Sequence, residues 1–155
     1  MSSISIKSPA ARFTEKWQSL ERVYVEYAKS KGLTYMSFTV LEIIYNHPDC
    51  CTQKLICEHS LYTKQSVNAI IKAFWEQGYV ELKEEMADRR NKRILFTEKG
   101  QSYADDVIGR YAPVEKEAMD RLTDEQWEQL IGMAETYGKH FCAGIDRLIR
   151  ATEGQ

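Results

Sequence analysis

Apolar side chains recur at helical spacing near the start of the chain. Between Ala11 and Gly32 they fall at intervals of four, three, four and three residues, and Gly32 is a suitable helix end. This spacing places them on one face of a helix. The face consists of Phe13, Trp17, Leu20, Tyr24 and Tyr27. A face of large aromatic side chains has to be buried, and helices of a second subunit are good candidates for burying it.

Three shorter helices are predicted in the middle of the chain. The first covers residues 37–48 and ends at Pro48. Its inner face consists of Phe38, Leu41, Ile44 and Tyr45. Thr52 can cap a short second helix over residues 53–60, and Thr63 can cap the third helix.

A tight turn at Leu61 and Tyr62 joins the last two of these helices, which is typical of a helix-turn-helix. Such a motif has a small residue in the first helix, usually Gly in the turn, and a β-branched residue facing back from the second helix. Cys57 and Val67 fit this pattern, with Cys57 expected at a buried position. Leu61 departs from it.

The helix after Thr63 has two different faces at about 100° per residue. Its apolar face consists of Val67, Ile70, Ile71 and Phe74. Its opposite face carries Gln65, Asn68, Ala69 and Lys72. Gly78 ends the helix, and the polar face is left free for contact with a partner.

A β-hairpin is predicted next. Residues 79–86 alternate as a strand does, with Val80 and Leu82 facing inward, and residues 92–97 return as a second strand. The loop between them contains several basic residues. A polar helix followed by a basic hairpin tip fits the shape of duplex DNA.

The rest of the chain is predicted to be helical. Thr97 can cap a helix over residues 98–122, which Pro113 can kink, and Thr123 with Gln126 forms a capping box for the last helix. The apolar stripe of the first of these helices is Tyr103, Val107, Ile108, Tyr111 and Ala112. The stripe of the last helix is Trp127, Leu130, Ile131, Ala134, Tyr137, Phe141, Ile145 and Leu148.

These elements predict a mainly α fold with a small β-hairpin wing, which is a winged helix-turn-helix with helices on both sides. We expect residues 1–155 to form a single domain, with the DNA-binding lobe at 35–112. The helices at 11–32 and 114–152 are then dimerisation helices, because their apolar stripes exceed what a small core can bury.

Composition narrows the functional classes. The chain has 155 residues, 43% of them hydrophobic, and a net charge of −2, so nucleic-acid binding requires a local basic patch. No signal peptide or membrane span is evident, which favours the cytoplasm and reduced cysteines. No motif of a hydrolase, phosphate-binding loop or cofactor site is present, so we expect neither an enzyme nor a cofactor.

The sequence resembles the multiple antibiotic resistance regulator (MarR) family of bacterial transcriptional regulators over residues 16–149. The resemblance is carried by TKQSVNAIIKAFWEQGYV, which begins at Thr63, and by DRRNKRILFTEKG, which begins at Asp88. Asp88 and Arg90 precede Thr97 by nine and seven residues. The order of helices around a late hairpin is also similar.

The resemblance implies a homodimer that binds a pseudo-palindromic operator on double-stranded DNA, most simply as a repressor. It also implies release of the operator by a small-molecule effector or an oxidant. The family's peroxide sensors have a reactive cysteine near the start of the first helix, and this chain has none there.

The helix after Thr63 would lie in the major groove. Gln65 and Asn68 can each pair with adenine through two hydrogen bonds, and Lys72 can contact guanine or phosphate. Ala69 completes this face. Phosphate contacts are expected on its flanks and at the free amides of the helix start. The residues expected there are Thr63, Lys64 and Ser66.

The predicted wing tip adds positive charge. Arg89, Arg90 and Lys92 are expected to contact DNA, and Asp88 is expected to hold an arginine in place. The family resemblance implies that Arg90 enters the minor groove, where narrow A·T tracts attract arginine.

An effector pocket for a small aromatic molecule is implied by the resemblance, between the dimerisation helices and the DNA-binding lobe. The candidate residues are Trp17, Tyr24, Phe38, Tyr45 and Tyr111. Core packing is the alternative role for these side chains.

Cysteine and histidine side chains form a second group within thirteen positions. The group consists of His47, Cys50, Cys51, Cys57 and His59. Their spacing is not a recognised zinc pattern, so no metal is expected. Two alternatives to a ligand-released repressor stay open: a redox-sensing regulator that uses Cys50 or Cys51, and a winged helix used only for protein contact. In the second alternative the acidic residues 115–135 are the working surface.

Overall fold

A computed structural model describes residues 8–84 and 92–153. The described chain is mainly helical with one antiparallel hairpin, which confirms the predicted fold class. The elements are α1 (Pro9–Ser30), α2 (Tyr35–Asn46), α3 (Gln53–Ser60), α4 (Lys64–Glu76), β1 (Val80–Glu84), β2 (Lys92–Phe96), α5 (Glu98–Ala104), a π-helical turn (Asp105–Gly109), α6 (Arg110–Met119) and α7 (Asp124–Glu153).

Short hydroxyl side chains start most of these helices. The side-chain oxygens of Thr52, Thr63 and Thr97 accept hydrogen bonds from the backbone amides of α3, α4 and α5, as predicted. The second helix begins slightly earlier than predicted, because Thr34 also accepts such a bond, from the Ser37 amide. The capping box at Thr123 is confirmed by reciprocal hydrogen bonds with Gln126 of 2.9 and 3.3 Å.

The core lies where α2, α3, α4 and the hairpin meet. Every predicted inner residue of α4 contributes to it, with Ile70 half-buried and the others buried. The largest fully buried side chains are Phe38, Leu41, Ile44, Ile56 and Ile94. In α3 the fully buried residue is Ile56, whereas Cys57 is half-buried against the core, so the prediction of a buried Cys57 is wrong in degree.

The hairpin corrects one predicted core position. Val80 pairs with Phe96 and Leu82 pairs with Ile94. Val80 is 2% exposed, but Leu82 is 40% exposed. Strand alternation correctly assigns both residues to one face, but the strand extends beyond the helices that cover Val80.

The helix predicted over residues 98–122 is present from Glu98 to Met119 and contains a π-helical turn. The structure has α5, the π-helical turn and α6 in succession, and Pro113 lies inside α6. Proline has no amide hydrogen, so the helix around Pro113 cannot form its full set of hydrogen bonds. An irregular turn nearby changes the pattern of these bonds.

The chain divides into two compact units, and the boundary along the sequence falls between Tyr111 and Ala112. The first contains α1 to α5, the π turn and the hairpin. In the second, the Trp127 indole donates to the Met119 carbonyl at 3.1 Å. No helix of the described chain is both long and apolar enough to cross a membrane.

Candidate nucleic-acid interface

A tight turn positions α4 against α3. Leu61 adopts a left-handed backbone conformation with φ of 58°, and its amide donates to the Cys57 carbonyl at 3.1 Å. Glycine adopts this conformation in most helix-turn-helix motifs. The turn therefore keeps its usual geometry although Leu61 stands in place of glycine. The Leu61 side chain is 91% exposed.

A side-chain hydrogen bond also ties the two helices together. The Gln53 amide nitrogen, in the first turn of α3, donates to the Lys64 carbonyl at 3.1 Å. Thr63 caps α4 and its hydroxyl lies 2.9 Å from that of Ser66. The first turn of α4 is therefore held at both its backbone and its cap.

The polar face of α4 is exposed along its length. Gln65, Asn68, Ala69 and Lys72 all lie at the surface, as predicted from the helical spacing. The Lys72 ammonium lies 3.7 Å from a Glu76 carboxylate oxygen, and both side chains are exposed. Such a pair contributes little to stability, so Lys72 can turn to another anion at small cost.

A groove runs between α3, α4 and the hairpin. Polar and charged side chains, including the acidic Glu58, line its rim, and Ile71, Leu82 and Ile94 contribute to its floor. The rim includes Gln53, Lys54, Lys64, Asn68 and Lys92. Exposed carboxylates lie near two of the lysines: Lys54 is 3.8 Å from Glu58 and Lys92 is 3.6 Å from Glu84.

Sequence reasoning missed three residues of this surface. Gln53 and Lys54 follow the Thr52 cap, and their position on the groove depends on how α3 packs against α4. Trp75 is 55% exposed and lies seven residues after Asn68, on the same side of α4. The helical spacing alone could have identified Trp75.

Three of the predicted wing residues, Asp88, Arg89 and Arg90, lie outside the described residues. The base of the wing is well anchored. An Arg93 guanidinium nitrogen donates to the Asp49 carbonyl at 3.1 Å, and the Ile94 amide donates to the Cys51 carbonyl at 2.9 Å.

The five predicted effector residues do not form one group. Tyr24, Phe38 and Tyr111 come together, with ring centroids 5.9 Å apart for Tyr24 and Tyr111 and 5.3 Å apart for Phe38 and Tyr111. Trp17 stacks on Phe13 at 6.2 Å instead. Tyr45 is half-buried beside the π turn, where burial and a hydrogen bond to Asp105 raise the pKa of its phenol.

Tyr27 joins the aromatic cluster of Tyr24, Phe38 and Tyr111. Its ring centroid lies 5.9 Å from that of Phe38, edge to face, and 5.5 Å from that of Tyr111. The sequence places Tyr27 on the same helical face as Tyr24, so this neighbour could have been found from the α1 stripe.

The cysteine and histidine group is spread over several environments. Burial raises the pKa of the Cys51 thiol to about 12, whereas Cys50 is exposed. The rings of His47 and His59 lie 5.0 Å apart, and the His47 Nδ1 atom is 2.9 Å from the Ile43 carbonyl oxygen. Among the described residues, no three His, Cys, Asp or Glu side chains converge on a metal position.

Comparison with known proteins identifies the family that the central segment resembles. The model of the MarR family matches residues 31–91, which span α2, α3, α4 and the first strand. The MarR-family resemblance is confirmed. No curated protein matches this chain in sequence.

Several solved structures, one of them described as a MarR family regulator, share the fold over nearly the whole chain. The regulator NMB1585 from Neisseria meningitidis is 21% identical, with a TM-score of 0.73, and the match covers 90% of this chain and 98% of that one. MepR from S. aureus, in complex with DNA, is 17% identical over 91% and 99% of the two chains with a TM-score of 0.68. CouR from Rhodococcus jostii RHA1, bound to p-coumaroyl-CoA, is 18% identical over 87% and 95%, also with a TM-score of 0.68.

Proposed function

We propose that this MarR-like protein is a dimeric transcriptional regulator that binds a pseudo-palindromic operator and is released from it by a small aromatic molecule. The exposed polar face of α4 carries the proposal. Gln65 and Asn68 are free at the surface of a helix whose first turn is held at its cap and by Gln53. Amide side chains of this kind pair with adenine in the major groove.

The lysine-lined groove supports a role for the same face in phosphate binding. Lys64 and Lys92 lie on its rim with Lys54, although the whole chain is slightly acidic. A basic surface next to a polar helix supplies the sequence-independent part of the affinity, which decreases with rising salt. Arg89 and Arg90 belong to the proposed wing contact, with Asp88 as their brace.

Exposed apolar side chains support the proposed dimer. Large apolar residues of α1 and α7 are exposed in the single chain, at a level that a stable monomer seldom shows. They include Phe13, Trp17 and Leu20 in α1, and Leu130, Tyr137, Phe141 and Leu148 in α7. A second copy would bury both stripes and would present two α4 helices to the two halves of an operator.

The aromatic cluster supports a role for Tyr24, Phe38 and Tyr111 in effector binding. A flat aromatic molecule can stack among these rings, and it would shift the regulator between two states if it bound one of them more tightly. CouR is a similar protein with an aromatic acyl-CoA bound, which makes p-coumaroyl-CoA a suitable first probe.

The DNA-reading role is tested with the variants Gln65→Ala and Asn68→Ala. A duplex from the DNA upstream of the protein's own coding sequence is titrated with each protein, and fluorescence anisotropy gives Kd at two salt concentrations. We expect each variant to lose about 1–3 kcal/mol of discrimination, or roughly fivefold to 150-fold in affinity for the operator over unrelated DNA. Gln129→Ala, in α7, is the matched control.

Two outcomes contradict this assignment. Equal operator affinity in the unsubstituted protein and its three variants would show that α4 does not recognise the DNA sequence. Absence of binding by the unsubstituted protein at low salt would instead favour a winged helix used for protein contact. Addition of p-coumaroyl-CoA tests effector release in the same assay.

A further inference from the structure

The π-helical turn at Asp105–Gly109 contains one residue more than the same stretch of α-helix requires. Such turns are rare, and they frequently occur at functional sites. Pro113 lies four residues after Gly109 and has no amide hydrogen, so the Gly109 carbonyl has no i+4 amide donor. One hydrogen bond of an uninterrupted α-helix is therefore missing at this point.

Two carbonyls of the π turn accept hydrogen bonds from side chains of α1 and its cap. The Tyr27 hydroxyl donates to the Val107 carbonyl at 2.6 Å. The Lys31 ammonium donates to the Asp106 carbonyl at 3.3 Å and pairs with the Asp106 carboxylate at 2.8 Å. These bonds satisfy consecutive carbonyls and so stabilise the wide turn against an α-helical one.

A second helix contacts the other side of the turn. A Cβ atom at Gly109 would lie 3.3 Å from the Tyr45 hydroxyl oxygen of α2, so that hydroxyl packs closely against the glycine. Val107 and Ile108 are buried in the core between these contacts. The π turn is thus bonded to Tyr27 and Lys31 and packs against Tyr45 of α2.

Tyr27 links the π turn to the aromatic cluster. Its ring packs against Phe38 and Tyr111, while its hydroxyl holds the Val107 carbonyl. A molecule that stacks among these rings has to move or reorient the Tyr27 ring. Movement of the ring withdraws the hydroxyl from Val107.

We propose that the π turn Asp105–Gly109 is a two-state hinge, held in the π arrangement by Tyr27 and Lys31, and that displacement of Tyr27 allows it to change register. This regulatory role rests on the proposed function as a ligand-responsive DNA-binding regulator. Conversion to α-helical bonding would advance every later residue of the helix by one position. One position is about 100° of rotation and 1.5 Å of rise.

Hydrogen–deuterium exchange of the purified protein tests the hinge without any ligand. Tyr27→Phe keeps the ring in the aromatic cluster and removes only the hydroxyl. We expect amide exchange within residues 106–112 to become about threefold to tenfold faster, because one partly buried hydrogen bond is lost. Lys31→Gln is a second variant that should act in the same direction. Tyr62→Phe, which loses a hydroxyl bond to Thr39, and Lys29→Gln are the matched controls.

The outcomes separate the hinge from the proposed function. Unchanged exchange in Tyr27→Phe, or an equal change in both controls, overturns the hinge whatever the protein does with DNA. If exchange increases but Kd for an operator duplex changes by less than twofold, the Tyr27 hydroxyl stabilises the π turn and the regulatory role of the hinge is wrong. If the unsubstituted protein does not bind DNA, the proposed function fails and the regulatory role fails with it, while the exchange data still decide the hinge.

Discussion

At the scale of single residues, the surroundings of Gly100 leave no room for a side chain. A Cβ atom at Gly100 would lie 1.7 Å from the Tyr79 carbonyl oxygen, because the start of α5 packs directly on the residue that precedes β1. The same junction is held by the Thr97 hydroxyl, which donates to the Gly78 carbonyl at 2.7 Å, and by the Lys99 ammonium over the Tyr79 ring. The hairpin cannot move away from α5 without breaking these contacts.

Gly100→Ala is therefore expected to destabilise the protein strongly, by about 3 kcal/mol or more, because backbone atoms have to shift to admit the methyl group. Chemical denaturation of both proteins measures the difference. Gly132→Ala in α7 meets nothing within 4 Å and should instead stabilise by about 0.5–1 kcal/mol. Equal stability of the two variants would show that the close contact at Gly100 is wrong.

At the scale of helices and strands, the features that depend on nearby residues could be predicted from the sequence. The threonine caps and the two faces of α4 depend on residues within four positions of each other, and they were predicted correctly. The exposure of Leu82 depends on how far β1 extends past the helices, so alternation could not give it. The π turn was not predicted, because Tyr103, Val107, Ile108 and Tyr111 follow one another at spacings that an uninterrupted α-helix also gives.

The ion pair between Lys31 and Asp106 joins α1 to the π turn and gives a pH dependence with a definite sign. The hydrogen bond from Lys31 lowers the pKa of the Asp106 carboxyl below 3.8, with a further contribution from Arg110. A carboxyl whose pKa is lowered by folding stabilises the folded state above its unfolded pKa, and this contribution is lost as the pH falls further.

The melting temperature of the protein should thus exceed that of Asp106→Asn at pH 6, and the two should converge as the pH falls below 3.8. Thermal denaturation followed by circular dichroism from pH 6 to pH 3 measures this convergence. Asp120→Asn, at another exposed pair within α6 and its end, is a suitable comparison. A constant difference across the range would mean that Asp106 acts by packing and not by its charge.

At the scale of the whole molecule, what the sequence could not provide was the set of contacts between distant segments. The groove residues Gln53 and Lys54 meet Lys64 only because α3 and α4 pack together. Likewise, Trp17 and Tyr24 share a face of α1, but only Tyr24 reaches Tyr111. The spacing of apolar residues identifies those that share a helical face. It does not show which of them are in contact with other helices.

The proposed dimer makes a prediction about the α7 stripe. Phe141→Asp places a charge in the apolar stripe and should convert the protein to a monomer, because a buried unpaired carboxylate is strongly unfavourable. Size-exclusion chromatography with light scattering measures the mass. Ala143→Asp makes the same change in charge at an exposed position about 160° away on the helix and should leave the mass unchanged. An unchanged mass in Phe141→Asp would place the dimer contact elsewhere or show that none exists.

The neighbouring thiols Cys50 and Cys51 differ in exposure, which allows a spin label to be attached to one of them. Cys51 is buried and its thiol resists ionisation, so a maleimide or nitroxide reagent should spare it at neutral pH, while Cys50 is open to attack. With Cys57 and Cys142 replaced by serine, a spin label on Cys50 would report from the segment just before α3. In a two-fold assembly a single label site becomes a pair, and pulsed dipolar spectroscopy would then measure the distance between the two copies of this segment in solution, with and without DNA.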